Sequence, residues 1–127
     1  MSNINKSGTP KQALEAYYKV DLDETKRVVF TGPGNIFGFL FENNSATDAV
    51  YLQFFNKLTA DVTVGSTAPD FTIKVPAGAV LGKDAGEFAL RHMNIGCVVA
   101  CTADRSSASA PNADLTAHIW YWQAPQI

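Results

Sequence analysis

The most reactive side chains in this 127-residue chain are two cysteines, Cys97 and Cys101, and two histidines, His92 and His118. Residues four apart in a strand stand about 13 Å from one another at ~3.3 Å per residue, whereas a disulfide needs Cα atoms within about 7 Å. Cys97 and Cys101 are therefore expected as buried free thiols, in keeping with synthesis in a reducing cytoplasm. A metal site needs several converging ligands, yet the histidines are 26 positions apart and neither sits in an HxH or HExxH arrangement. No metal and no other cofactor is expected. Ser106, Ser107 and Ser109 lie in a Ser/Ala-rich stretch without the GxSxG frame of a nucleophilic serine. Gly32, Gly34 and Gly38 give the spacing GxGxxxG, and an aromatic run follows where a phosphate-binding loop requires a helix N-terminus. Glu42, Asp48, Asp61, Asp70, Asp84 and Glu87 are scattered acids with no pair singled out for acid/base work. The chain is expected to be non-enzymatic, a small hydrolase ranking last among the function classes considered.

What the sequence does repeat is aromatic residues on strand-like segments: Phe37, Phe39, Phe41, Tyr51, Phe54, Phe55, Trp120, Tyr121 and Trp122. Bulky residues at consecutive positions populate both faces of a strand, so these segments need a partner layer or a neighbouring subunit on each side. Alternation points Trp120 and Trp122 the same way, towards the core or towards a shared surface. Exposed Trp and Tyr would also suit stacking on sugars.

The elements that must position these residues are short strands between turn residues. The sequence predicts strands at 27–31, 35–43, 49–58, 71–75, 87–93, 95–102 and 115–122, with short ones near Val62–Val64 and Val80–Leu81. The 35–43 and 49–58 pair is spaced for a hairpin whose tip holds Ser45 to Asp48. Phe71, Ile73 and Val75 should face the core, while 103–114 reads as a surface loop of small residues. Residues 1–26 read as an N-terminal arm, either extended or with a short helix over Lys11–Lys19, and residues 27–127 as the folded domain. The arm residues Leu14, Tyr17 and Tyr18 are expected to anchor on a neighbouring subunit, or else to cover the arm's own domain. The fold class expected is all-β, an antiparallel β-sandwich that is jelly-roll-like.

Composition narrows the function classes. Ten Lys+Arg against twelve Asp+Glu leave a net charge of -2, which disfavours binding driven by phosphate neutralisation, so no nucleic-acid partner is expected. No apolar stretch approaches the ~20 residues that cross a bilayer, and no signal core follows Met1, so a soluble, non-secreted chain without membrane contact is expected. The sequons at Asn5 and Asn43 then read as chance matches. A chain of this length buries roughly two-thirds of its unfolded surface and needs no disulfide or metal to fold.

The stretch Gly32-Pro33-Gly34-Asn35-Ile36-Phe37-Gly38-Phe39-Leu40-Phe41-Glu42-Asn43-Asn44-Ser45, with Tyr51-Leu52-Gln53-Phe54-Phe55, Val64-Gly65 before Pro69, Val75-Pro76-Ala77-Gly78 and Ile95-Gly96 before Thr102, resembles small virion structural proteins of tailed bacteriophages. The resemblance covers about residues 30 to 122 and rests on turn chemistry around strands. It implies a capsid cement or decoration protein, a homotrimer that clamps the major capsid protein on the capsid exterior after synthesis in the host cytoplasm. The alternative it leaves open is a tail-associated or host-receptor (carbohydrate) binding module.

Overall fold

The computed structural model describes residues 14–86 and 88–124. Nine strands are formed among them: β1 (Glu15–Leu22), β2 (Arg27–Thr31), β3 (Gly34–Asn43), β4 (Val50–Phe55), β5 (Phe71–Val75), β6 (Val80–Lys83), β7 (Arg91–Met93), β8 (Gly96–Thr102) and β9 (Leu115–Gln123). They make two antiparallel sheets, one in the order β1-β9-β3-β6 with β7 also on β3, the other in the order β2-β8-β4-β5. First strand pairs with last, second with next to last, and the chain winds between the sheets as a roll. The result is the expected jelly-roll β-sandwich.

Period-two alternation decides what each strand buries. Ile36, Phe41, Leu115, Ala117 and Ile119 from the first sheet meet Leu52, Phe54, Val75, Cys97, Val99 and Cys101 from the second. All of β8 is buried, because Val98 and Ala100 point away from that core into a second cluster with Phe55 and Val62. The segment carrying Val62 and Val64 thus covers the outer side of the second sheet. Lys26 ties it down, its Nζ donating to the carbonyls of Thr59 at 2.7 Å and Val62 at 2.6 Å. The buried Gln53 pins the next loop by donating from Nε2 to Thr102 Oγ1 at 2.7 Å and to the Ser107 carbonyl at 2.9 Å.

Five expectations are corrected. The 35–43 and 49–58 segments are not a hairpin: β3 and β4 lie in different sheets, and residues 44–49 carry the chain across. Asn43 Nδ2 donates to the carbonyls of Val75 and Pro76 and so fixes the crossing at the end of β5. The helix over Lys11–Lys19 is not formed in its described part, because Tyr17, Tyr18 and Val20 favour a strand and β9 offers an open edge. Residues 15–22 accordingly belong to the sandwich, although the arm reading set its boundary at residue 26. Val62–Val64 follows a 3-10 turn (Thr59–Asp61) and is no strand, and only Arg91–Met93 of 87–93 pairs.

β6 and β7 pair with the same edge of β3, Val80–Lys83 against Phe39–Glu42 and Arg91–Met93 against Gly34–Ile36. The chain between them arches over Gly38, where a Cβ would come within 2.6 Å of the Ala85 nitrogen and 2.8 Å of the Lys83 carbonyl oxygen. Both obstacles are backbone. Gly38→Ala is expected to cost about 1–3 kcal/mol in denaturant unfolding, whereas Gly86→Ala, with nothing within 4 Å, should leave the midpoint unchanged.

Candidate interaction face

The two sheets differ in what lies outside them. Loops bury the outer side of β4 and β8 in the second sheet, leaving Val28 of β2 40% exposed, whereas among the described residues only the backbone of residues 83–85, which arches over Gly38, lies against the outer side of the first. Register places Tyr18 of β1 beside His118 of β9, Leu40 of β3 beside His118, Ala16 and Gly38 beside Trp120, and Asn35 beside Trp122. Glu42 and Val80 pair at the β3–β6 end of the same face. Tyr18 is 57% exposed, Val20 52% and Val80 62%, high values for apolar groups on a sheet face.

The side chains form an aromatic row. The rings of Tyr18 and His118 meet edge to face at 4.3 Å between centroids, and His118 meets Trp120 edge to face at 5.6 Å. Ala16 sets a small side chain beside Trp120 on the β1 side, while on the β3 side the Lys83 and Ala85 backbone lies against Gly38. Tyr18, Leu40, Glu42, Thr116 and His118 surround a recess of about 80 Å³. The arrangement offers flat apolar area with one carboxylate and one imidazole at its floor, suited to adhesion and stacking.

Of the residues expected to bind a partner, Tyr18 is on this face and Leu14, 37% exposed, lies just before β1. Tyr17 is not with them. Neighbouring strand residues point to opposite faces, so Tyr17 packs against the core and its buried hydroxyl has no hydrogen-bond partner. Burial raises the Tyr17 pKa, an effect the nearby Arg27 partly offsets. Sequence reasoning missed Val20, Leu40, Val80 and His118. The alternation Thr116, His118, Trp120, Trp122 is the signal that would have gathered the β9 side of the row.

The other reactive groups stay apart. Cys97 and Cys101 are free and buried. Ser107 and Ser109 serve their own loop, the Ser109 N–H donating to Ser107 Oγ at 3.1 Å. Asp70 accepts from the Asn56 N–H at 2.6 Å, and the His92 ring contacts Asn35 Oδ1 at 2.6 Å. The Gly32 turn, with φ of 86°, leads into a strand and not a helix. Glu87 lies outside the described residues. Among the described residues no three His, Cys, Asp or Glu come together in a way that could hold a metal ion.

The thiols make stability depend on pH. Burial pushes Cys101 up to about 12, with Asp114, Asp23 and Glu24 adding to the shift, and burial moves Cys97 in the same direction. Unfolded thiols titrate near 8.5. Above that pH the unfolded chain has lost protons that the folded chain keeps, so the contribution is whole below about pH 8.5 and shrinks as pH rises towards 12. Unfolding free energy is expected to fall between about pH 9 and about pH 11, by up to about 1.4 kcal/mol per pH unit for each thiol. Cys101→Ala should flatten that slope, measured by urea titrations along a pH series.

Compared with protein-family models, with curated proteins and with solved structures, the chain matches none.

Proposed function

We propose that the chain is a non-enzymatic structural subunit that associates with copies of itself through the outer face of the β1-β9-β3-β6 sheet. In its most specific form the reading is a capsid cement or decoration protein of a tailed bacteriophage, a homotrimer seated on the major capsid protein. The observation that supports self-association is the row in which exposed Tyr18 and Val80 flank half-buried Leu40, His118 and Trp120, against a second sheet whose β4 and β8 are buried on their outer side by the chain's own loops. Core regions of protein interfaces favour aromatic side chains and exclude charge, and Glu42 is the one acid among these outward positions of β3 and β9. The assignment to a capsid exterior rests on the sequence resemblance alone.

Tyr18→Asp and Val80→Asp test the face directly, since both side chains are exposed in the single chain and should not affect its folding. Each is expected to lower the sedimenting mass while leaving the circular dichroism spectrum intact, with about 1 kcal/mol or less lost from the stability of the dissociated chain. Unchanged mass in both variants would contradict the reading. Deleting residues 1–26 would be a poor substitute, because it removes β1.

A second reading is favoured by one feature, the recess flanked by Tyr18 and His118 with Glu42 at hand. Aromatic faces beside a carboxylate suit a sugar ring. Saturable quenching of Trp120 and Trp122 fluorescence by a glycan would move the face from self-association to carbohydrate binding.

A further inference from the structure

Between the sheets, where β3, β4 and β5 come together, the core leaves an apolar cavity of about 190 Å³. Its walls are Ile36 and Phe39 from β3, Phe54 from β4, and Phe71 and Ile73 from β5. Well-packed interiors leave few voids larger than a water molecule, and an apolar cavity of roughly 150 Å³ is enough to take a benzene-sized molecule. The space is a cleft open to solvent, of a volume that would take such a molecule. Ile36 and Phe54 are buried while Phe39, Phe71 and Ile73 are half-buried, so the cavity is open on the β5 side.

A cation stands at that opening. Arg91 is exposed, lines the cavity, and holds its guanidinium 4.3 Å from the centroid of the Phe71 ring. Stacking on Phe71 restrains the guanidinium without using its N–H donors. Among the described residues no carboxylate forms an ion pair with it. The Leu90 N–H beside it is already given to the Ile36 carbonyl at 2.7 Å. Among the described residues the rim thus presents one planar donor group with no carboxylate paired to it, above an apolar hole.

We propose that this cavity binds a small amphipathic anion, in its simplest form a medium-chain carboxylate, with the alkyl chain between the sheets and the headgroup on Arg91. The charge selects the headgroup, since a guanidinium pairs with a carboxylate through two parallel hydrogen bonds. The volume selects a short tail. This site is separate from the outer face of the first sheet and stands or falls independently of self-association.

The test is calorimetric titration of the full chain with octanoate, octanol and octylamine. Octanoate is expected to bind with one-to-one saturation below about 1 mM, octanol about tenfold more weakly, and octylamine not measurably. Arg91→Gln, a change at an exposed residue, should bring octanoate down to the octanol level and leave octanol unchanged. Ile73→Trp should abolish both by filling the space. Should that variant not fold, Arg91→Gln alone decides. The proposal is overturned if wild-type protein shows no saturation with octanoate, or if Arg91→Gln binds it as well as wild type does. It is equally overturned if octanoate binds only after Phe88→Ala. Phe88 is 81% exposed nearby in sequence, and that result would make a second copy's phenyl ring the occupant.

Discussion

Phe54→Ala is expected to lower the free energy of unfolding by about 4 kcal/mol and the thermal midpoint by on the order of 10–20 °C. Phe54 is 1% exposed, stacks on Phe71 at 4.4 Å and 10° between planes, and meets Phe41 from the facing sheet at 6.4 Å. It therefore joins three strands of both sheets. Its removal would enlarge the neighbouring cavity, and the cost of a large-to-small change grows with the empty volume left behind. A small domain holds only about 5–15 kcal/mol in reserve, so the loss is a large share. Phe54→Leu should recover more than half of it. Phe37→Ala offers the contrast, because Phe37 sits half-exposed at the bulge between Ile36 and Gly38. It should cost about 1 kcal/mol or less, read in the same thermal melts.

Asn43→Leu is expected to cost about 2–4 kcal/mol, a polar effect nearly as large as the loss of an aromatic ring. Asn43 is 5% exposed, and its Nδ2 reaches the carbonyls of Asp48 at 2.9 Å, Val75 at 3.0 Å and Pro76 at 3.1 Å. Its Oδ1 accepts the Ser45 N–H at 2.8 Å. One side chain thus holds the end of β3, the start of the crossing to β4, and the end of β5. Leucine has nearly the same size and none of these bonds, so buried carbonyls would be left unpaired. Ser45 reinforces the corner, its Oγ accepting the Asp48 N–H at 3.0 Å. Ser45→Ala should cost about 1 kcal/mol, both variants being measured by urea unfolding at constant pH.

That corner shows where sequence reasoning reached the fold and where it stopped. Turn residues marked the strands well: Gly32-Pro33-Gly34 begins β3, Pro76 follows β5, and the Ser/Ala stretch after Thr102 separates β8 from β9. Pairing was another matter. Consecutive strands usually neighbour one another, and Asn43-Asn44-Ser45 looks like a turn in either topology. Only the side-chain hydrogen bonds of Asn43, which tie the crossing to the end of β5, distinguish a corner between sheets from a hairpin tip. β1 was obscured for a different reason. Its Ala, Glu and Lys residues carry helix preference, and what makes it a strand is the edge of β9, a hundred residues away in sequence.

The candidate face was legible by half. Tyr18 was expected to meet a partner and does stand on the open surface, and the shared direction of Trp120 and Trp122 followed from alternation alone. Tyr17 was grouped with Tyr18 because the two are adjacent in a segment read as an arm. Once the segment is a strand, adjacency puts them on opposite sides. Leu40 and Val80 could not be assigned to the same row without the register that sets them across from His118 and Glu42.

The most direct measurement is the absolute mass of the full chain by light scattering across a dilution series. Self-association through the face predicts a particle heavier than the 13.7 kDa chain, three times that mass if the proposed homotrimer holds, converted towards single chains by Val80→Asp. A mass of 13.7 kDa at every concentration would contradict self-association through the β1-β9-β3-β6 face.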